Sequence, residues 1–371
     1  MGTFGRGIYI LDDYAPLRTS GAALTDLHLF PVKDAWLYIE GDIWDGREKG
    51  SMGVEFYTAP NPPFGAVFTY YLKDGVLSQR ESRRKEEIAI EKKGGDTPYP
   101  PWDEVRAEDR EDEPAVHFVV RDPSGSVVRQ VAGEAEQGLH RSAWDLRLPP
   151  PDPVTLEEPA EPRPYWETPP VGPLALPGEY TVRLAVQRDG VLTEVGDPRV
   201  FTVKAIEGSP EITADRRALQ EFQLKAANLR RVVAGTAAVL AEMEARIEHL
   251  KGAVVQTPSV GEAQRATLRD LDSRLADVAL AINGDTSVTG RNEPAPMSIA
   301  DRAGAVYSGH IQSQSPVPGL YEHSYRVAAS ELAAALAALR SLEGDLRALE
   351  STLEGMGAPW TPGRIPDWSA N

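Results

Sequence analysis

The side chains able to do chemistry are few in kind and widely spaced. Six histidines stand at His28, His117, His140, His249, His310 and His323. None lies within four residues of another, so the chain lacks the H-x-x-x-H and H-x-H spacings that build transition-metal sites. It has no cysteine. That excludes disulfides, cysteine–zinc sites, iron–sulfur clusters and a thiol nucleophile. His117 falls in a strand-like pattern. His249 lies near the end of a helical one, where a cation meets the negative end of the helix dipole. Both read as structural.

Oxygen chemistry is no better defined. Asp12-Asp13 and Asp42, Asp45 and Gly46 could offer calcium ligands, but neither group follows the D-x-[DN]-x-[DN]-G order of a calcium loop. Glycoside hydrolysis needs two carboxylates about 5–10 Å apart. With 56 acidic residues, pairs arise by chance and the sequence singles none out. Tyr321-Glu322 has the residue types of a tyrosine nucleophile and its base, but it adjoins a helix start without attendant arginines. No G-x-S-x-G elbow is present. Gly-Arg-Gly at 5–7 and the 92–96 run KKGGD lack the strand–loop–helix setting that cradles phosphate. No catalytic, cofactor or metal residue is assigned.

The charge narrows the partners. Lys and Arg number 39 against 56 Asp and Glu, a formal charge of −17. That argues against nucleic acid, which needs a basic face, and against anionic lipid surfaces. No apolar run approaches the ~20 residues of a membrane span, and no basic-then-apolar leader is present.

The 371 residues suffice for two or three domains. Residues 28–206 read as β, with candidate strands at Ala35–Glu40, Gly65–Leu72, Ala115–Arg121, Val127–Val131, His140–Asp145, Gly178–Gln187 and Pro198–Lys204. Tyr180, Val182, Leu184 and Val186 alternate against Thr181, Arg183 and Ala185, the pattern of a half-buried strand. Seven short strands separated by turn signals predict an antiparallel sandwich. A charged insertion at 78–114 reads as a solvated excursion or short helix. A Pro-rich insertion at 149–173 reads as extended chain. Asp122-Pro123-Ser124-Gly125 is the turn of a hairpin.

From about 213 the composition changes. Leu219, Phe222, Ala226, Leu229, Val233, Thr236, Leu240, Met243, Ile247 and Leu250 keep a 3,4 spacing. Leu268, Leu271, Leu275, Val278 and Ile282 repeat it, as does the series from Tyr325 to Leu353. Such heptads are seams packed on other helices. Thr213 or Asp215 would cap the first helix. An antiparallel helical bundle over 213–355, with a short extra helix near Ile299–His310, is one reading. A coiled coil between chains is the other. Residues 356–371 read as an irregular tail.

Residues 2–13, GTFGRGIYILDD, read as one strand with apolar Phe4, Ile8, Ile10 and Leu11 and no partner nearby. A lone strand is marginal in water. The stretch TFGRGIYILDDYAPLR (3–18) resembles the last-blade strand and exit of bacterial sortilin-like (VPS10-like) BNR-repeat propeller proteins, often labelled glycosyl hydrolases. The segments at 29–38, 61–74, 122–151 and 172–184 fit the region downstream of such propellers. The resemblance implies that residues 1–27 are the terminal strand and linker of a missing propeller, with an intact parent secreted or periplasmic. The order of the 122–125 turn, Trp144-Asp145 and Pro177-Gly178-Glu179-Tyr180 is similar to the immunoglobulin-like domain of flagellar hook-capping proteins. It implies an immunoglobulin-like sandwich with Trp144 as a core anchor and Tyr180 as its partner.

The expected fold is thus α+β, a sandwich followed by a helical bundle after an orphan propeller strand. The expected function is a non-catalytic accessory region that braces the propeller through Arg6 and Trp144 and presents a carbohydrate- or protein-binding surface. A wall of a glycosidase cleft and a heptad-based oligomerisation module are the alternatives.

Overall fold

A computed structural model describes residues 2–3, 7–8, 13–18, 26–39, 61–154, 156, 170–206 and 215–366. The fold is mixed α+β. The chain divides into two compact units, Met1–Pro149 with Leu174–Ser209, and Pro150–Pro173 with Pro210–Asn371.

The first unit carries β1 (Gly2–Thr3), β2 (Gly7–Ile8), α1 (Ala15–Arg18), β3 (Leu27–Leu29), β4 (Ala35–Leu37), β5 (Ala66–Leu72), α2 (Gln79–Glu91) and α3 (Trp102–Arg110). It continues with β6 (Ala115–Arg121), β7 (Val127–Gly133), β8 (Gly138–Trp144), β9 (Gly178–Arg188) and β10 (Val191–Ala205). One sheet has the order β4-β10-β9-β6-β7 and another β3-β5-β8. Their apolar sides share one core, with Phe68, Tyr70 and Trp144 from the smaller sheet and Phe118, Tyr180, Leu184 and Phe201 from the larger. Along β9 Tyr180, Val182, Leu184 and Val186 are buried as the alternation predicts, but Ala185, read onto the opposite face, is buried too.

Two expectations are corrected in this unit. The pairing is not antiparallel throughout, because β4 runs parallel to β10, with Ala35 opposite Val203. A parallel neighbour is reached by a long connection and no hairpin turn announces it, so local sequence carries no sign of it. Residues 2–13 are not one partnerless strand either. β1 and β2 pair antiparallel, Gly2 opposite Ile8 and Thr3 opposite Gly7; Phe4, Ile10 and Leu11 lie outside the described residues. β3, paired with β5 through Leu29 and Tyr70, was absent from the sequence reading.

The charged insertion folds as two helices. Ser78 opens α2 with a reciprocal cap, its Oγ accepting from the Glu81 amide at 3.1 Å while Glu81 Oε2 accepts from the Ser78 amide at 2.9 Å. Neither helix could stand alone at 13 and 9 residues. Arg83 ties them together, gripping Glu108 of α3 at 2.5 and 2.7 Å.

The second unit carries α4 (Arg216–Gln256), α5 (Glu262–Asn283), α6 (Thr286–Thr289), α7 (Ile299–Ile311) and α8 (Gly319–Gly355). Asp215 caps α4 by accepting from the Ala218 amide at 2.9 Å; Thr213 lies outside the described residues. α4 packs against α5, α7 and α8, and α5 against α8. The heptad leucines form one core that includes Leu240, Leu250, Leu271, Leu275, Leu339 and Leu346. Each fully buried leucine contributes roughly 1.5–3 kcal/mol, far more than any difference in helix propensity. Two ends of the Pro-rich segment belong to this unit. Asp152 accepts from Arg230 at 2.9 and 2.6 Å, and the Val171 carbonyl accepts from the Tyr307 hydroxyl. Beyond α8 the chain turns back, and Arg364 donates to the Glu350 carbonyl at 2.9 Å and to Glu354 at 2.7 Å. Among the described residues no helix is long and apolar enough to cross a membrane.

Candidate functional site

Trp144 ends β8 and is buried on every side. Its indole Nε1–H donates to the Arg147 carbonyl at 2.8 Å. Its ring meets Tyr180 edge-on at 5.2 Å and Phe201 at 6.2 Å. The Tyr180 hydroxyl donates to the Leu176 carbonyl at 2.8 Å, and burial pushes its phenol up to about 12. The backbone closes over the same ring system. A Cβ on Gly65, at φ +94°, would lie 1.9 Å from the Trp144 carbonyl oxygen, so only glycine fits. The structure therefore brings Trp144 and Tyr180 together inside the core, with no indole face open to a sugar. Arg6 lies outside the described residues.

The remaining sequence candidates disperse. His140 Nε2 is 2.9 Å from the Glu136 carbonyl, and its ring lies over Tyr70. His310 is buried at the end of α7, edge-on to Phe222 and Tyr321. Burial lowers its pKa below the usual imidazole value, with the Pro316 carbonyl acting the other way. Tyr321 is thus spent on packing beside His310. Asp13 pairs with Lys33 at 3.2 Å, whereas Asp12, Asp42, Asp45 and Gly46 lie outside the described residues. Among the described residues no three His, Asp or Glu side chains converge to hold a metal ion.

Two features of the first unit stand apart from its packed core. One is a cavity of about 410 Å³ where the ends of β3 and β5 face the β9–β10 hairpin. That hairpin turns on Asp189 and Gly190, at φ +47° and +72°. Positive φ at both central residues is the geometry whose twist suits a two-residue hairpin, and Asp-Gly is among the pairs that adopt it.

The other is an aromatic platform on the α2–α3 hairpin. Tyr99 is 72% exposed and Trp102 is 66% exposed, their ring centroids 5.7 Å apart. Prolines 98, 100 and 101 stiffen the chain around them. A groove beside Tyr99 is lined by Arg80, Arg84, Pro98 and Pro100. The support beneath is ionic. Arg83 spans Glu108 and Glu87, with the latter at 2.7 Å, and Arg80 pairs with Asp109. The Arg83 guanidinium holds the Glu108 carboxyl below the usual carboxylate range, and Glu108 in turn raises Arg83. The two exposed rings are inclined at 57° to one another, so each offers its own negative face to the C–H face of a sugar or another apolar plane.

Sequence reasoning passed over both features. The signals were Asp189-Gly190 between β-rich runs and Tyr99-Pro100-Pro101-Trp102 between two charged stretches. No protein-family model, curated protein or solved structure matches this chain.

Proposed function

We propose that the chain is a non-catalytic accessory region that presents a carbohydrate-binding surface, the Tyr99–Trp102 platform. On this reading the first unit is an immunoglobulin-like sandwich and the second an antiparallel helical bundle. The resemblance of residues 3–18 to the end of a BNR-repeat propeller makes a propeller the partner that the region braces. The observation that carries the reading is the exposure of two large aromatic rings on an ion-paired scaffold. Exposed aromatics grouped on a rigid element mark interaction sites more often than chance surface residues do.

Two further observations favour it over the alternatives. The heptad side chains are buried against the chain's own helices, which supports internal packing over an oligomerisation seam. Trp144 is enclosed and offers no face to a sugar, whereas Tyr99 and Trp102 stand exposed as neighbours. Affinity electrophoresis through gels containing neutral polysaccharides tests the proposal. At least one polysaccharide should retard the wild-type chain and release the Tyr99→Ala/Trp102→Ala variant. Equal mobility of the two proteins in every gel would contradict it.

A further inference from the structure

We propose that the cavity at the end of the two sheets binds a medium-chain aliphatic carboxylate. Its walls are aliphatic, formed by Leu27, Leu72, Val76, Val186, Val191 and Val195, and no aromatic ring lines it. Leu72, Val76 and Val186 are themselves core residues, so the floor of the cavity is the apolar edge of the core. The Thr193 side chain is the only hydroxyl in the lining. A ligand rich in hydrogen-bonding groups would be left unsatisfied there, and a flat aromatic ligand would find no ring to stack on. A flexible alkyl chain matches the walls. The volume, about 410 Å³, falls within the roughly 300–1,000 Å³ range of small-molecule sites.

The rim selects the headgroup. Of its four charges, Asp26 is paired with Lys73 at 2.9 Å and Asp74 lies 3.9 Å from Lys85. Arg188, beside the hairpin turn, has no ion-pair partner among the described residues. A guanidinium presents a planar fork that matches a carboxylate through two parallel hydrogen bonds. The net charge of −17 does not forbid an anion there, because at physiological salt exposed charges are screened beyond about 8 Å.

Calorimetric titration of the full chain with octanoate and dodecanoate, below their micelle concentrations, tests the proposal. Dodecylamine, protonated at neutral pH, and dodecanol serve as comparators. The expected result is saturable 1:1 binding of dodecanoate, tighter than octanoate and tighter than either comparator. Arg188→Gln should weaken dodecanoate roughly ten-fold or more, and Thr193→Trp should abolish binding by filling the mouth. Both positions are exposed, so neither change touches the core. Absence of saturable binding would overturn the proposal, as would dodecanoate binding that survives Thr193→Trp. Equal binding of dodecylamine, or indifference to Arg188→Gln, would overturn the headgroup assignment and with it the proposal.

Discussion

At the scale of single residues, burial decides what a side chain is able to do. Trp144 has the chemistry to stack on sugar, but its ring is enclosed by Tyr180 and Phe201, so its work is packing. Trp144→Ala is expected to cost about 3–5 kcal/mol, the usual range for emptying a large aromatic site. Urea denaturation would measure this, and a loss under 1 kcal/mol would contradict the assignment. His310 makes the second residue-scale case. Its folded pKa is depressed by burial, so the unfolded chain takes up a proton near pH 6.5 that the folded chain refuses. Stability is therefore full above about pH 7.5 and falls as pH drops through 6.5. His28, lowered mainly by burial with Arg199 adding to it, contributes in the same direction. Thermal melts at pH 7.5 and 5.5 should show a smaller drop for His310→Leu than for wild type. An identical drop in both would refute the role given to His310.

At the scale of elements, local pattern showed much of the fold and little of what joins it. β6 was legible to the residue because Ala115–Arg121 is β-rich and bounded by acidic and turn residues. The strand reading stopped at Gln187 and resumed at Pro198, although β9 and β10 meet across Asp189-Gly190. Two-stranded pairing through that turn was available in the sequence as a D-G signal. The parallel β4–β10 pair was not, since its partners stand more than a hundred residues apart and no local residue reports on them.

The helices repeat the lesson. Every leucine and isoleucine of the predicted α5 seam is buried, yet the pattern could not show that Arg246 and Glu350 are buried too. They form a two-pronged pair at 3.0 and 2.8 Å between α4 and α8. Glu350 raises the Arg246 pKa by accepting from it. Removing one member of such a pair strands the other in a dry interior, which typically costs ~3–5 kcal/mol. Glu350→Ala should destabilise by that order in urea denaturation. Arg246→Met/Glu350→Leu should recover most of the loss, because apolar replacement of both partners is often neutral or stabilising. A double variant as weak as the single one would mean that the pair supplies stability that packing does not.

At the scale of the whole molecule, a strongly acidic chain carries a pair of exposed aromatic rings in one of its two units. Net charge was legible from composition, and it steers the ligand search away from anionic polymers. The platform was not legible, because whether Tyr99 and Trp102 are exposed depends on how α2 and α3 pair through Arg83 and Glu108. Stacking on uncharged sugar also predicts weak dependence on salt, since screening acts on charges and not on ring faces. The most direct test is calorimetric titration of the chain with soluble oligosaccharides from a polysaccharide that retards it, at low and at high salt. The account predicts saturable binding, little changed by salt and lost in the Tyr99→Ala/Trp102→Ala variant. Binding retained by that variant, or no binding by the wild-type chain, would contradict it.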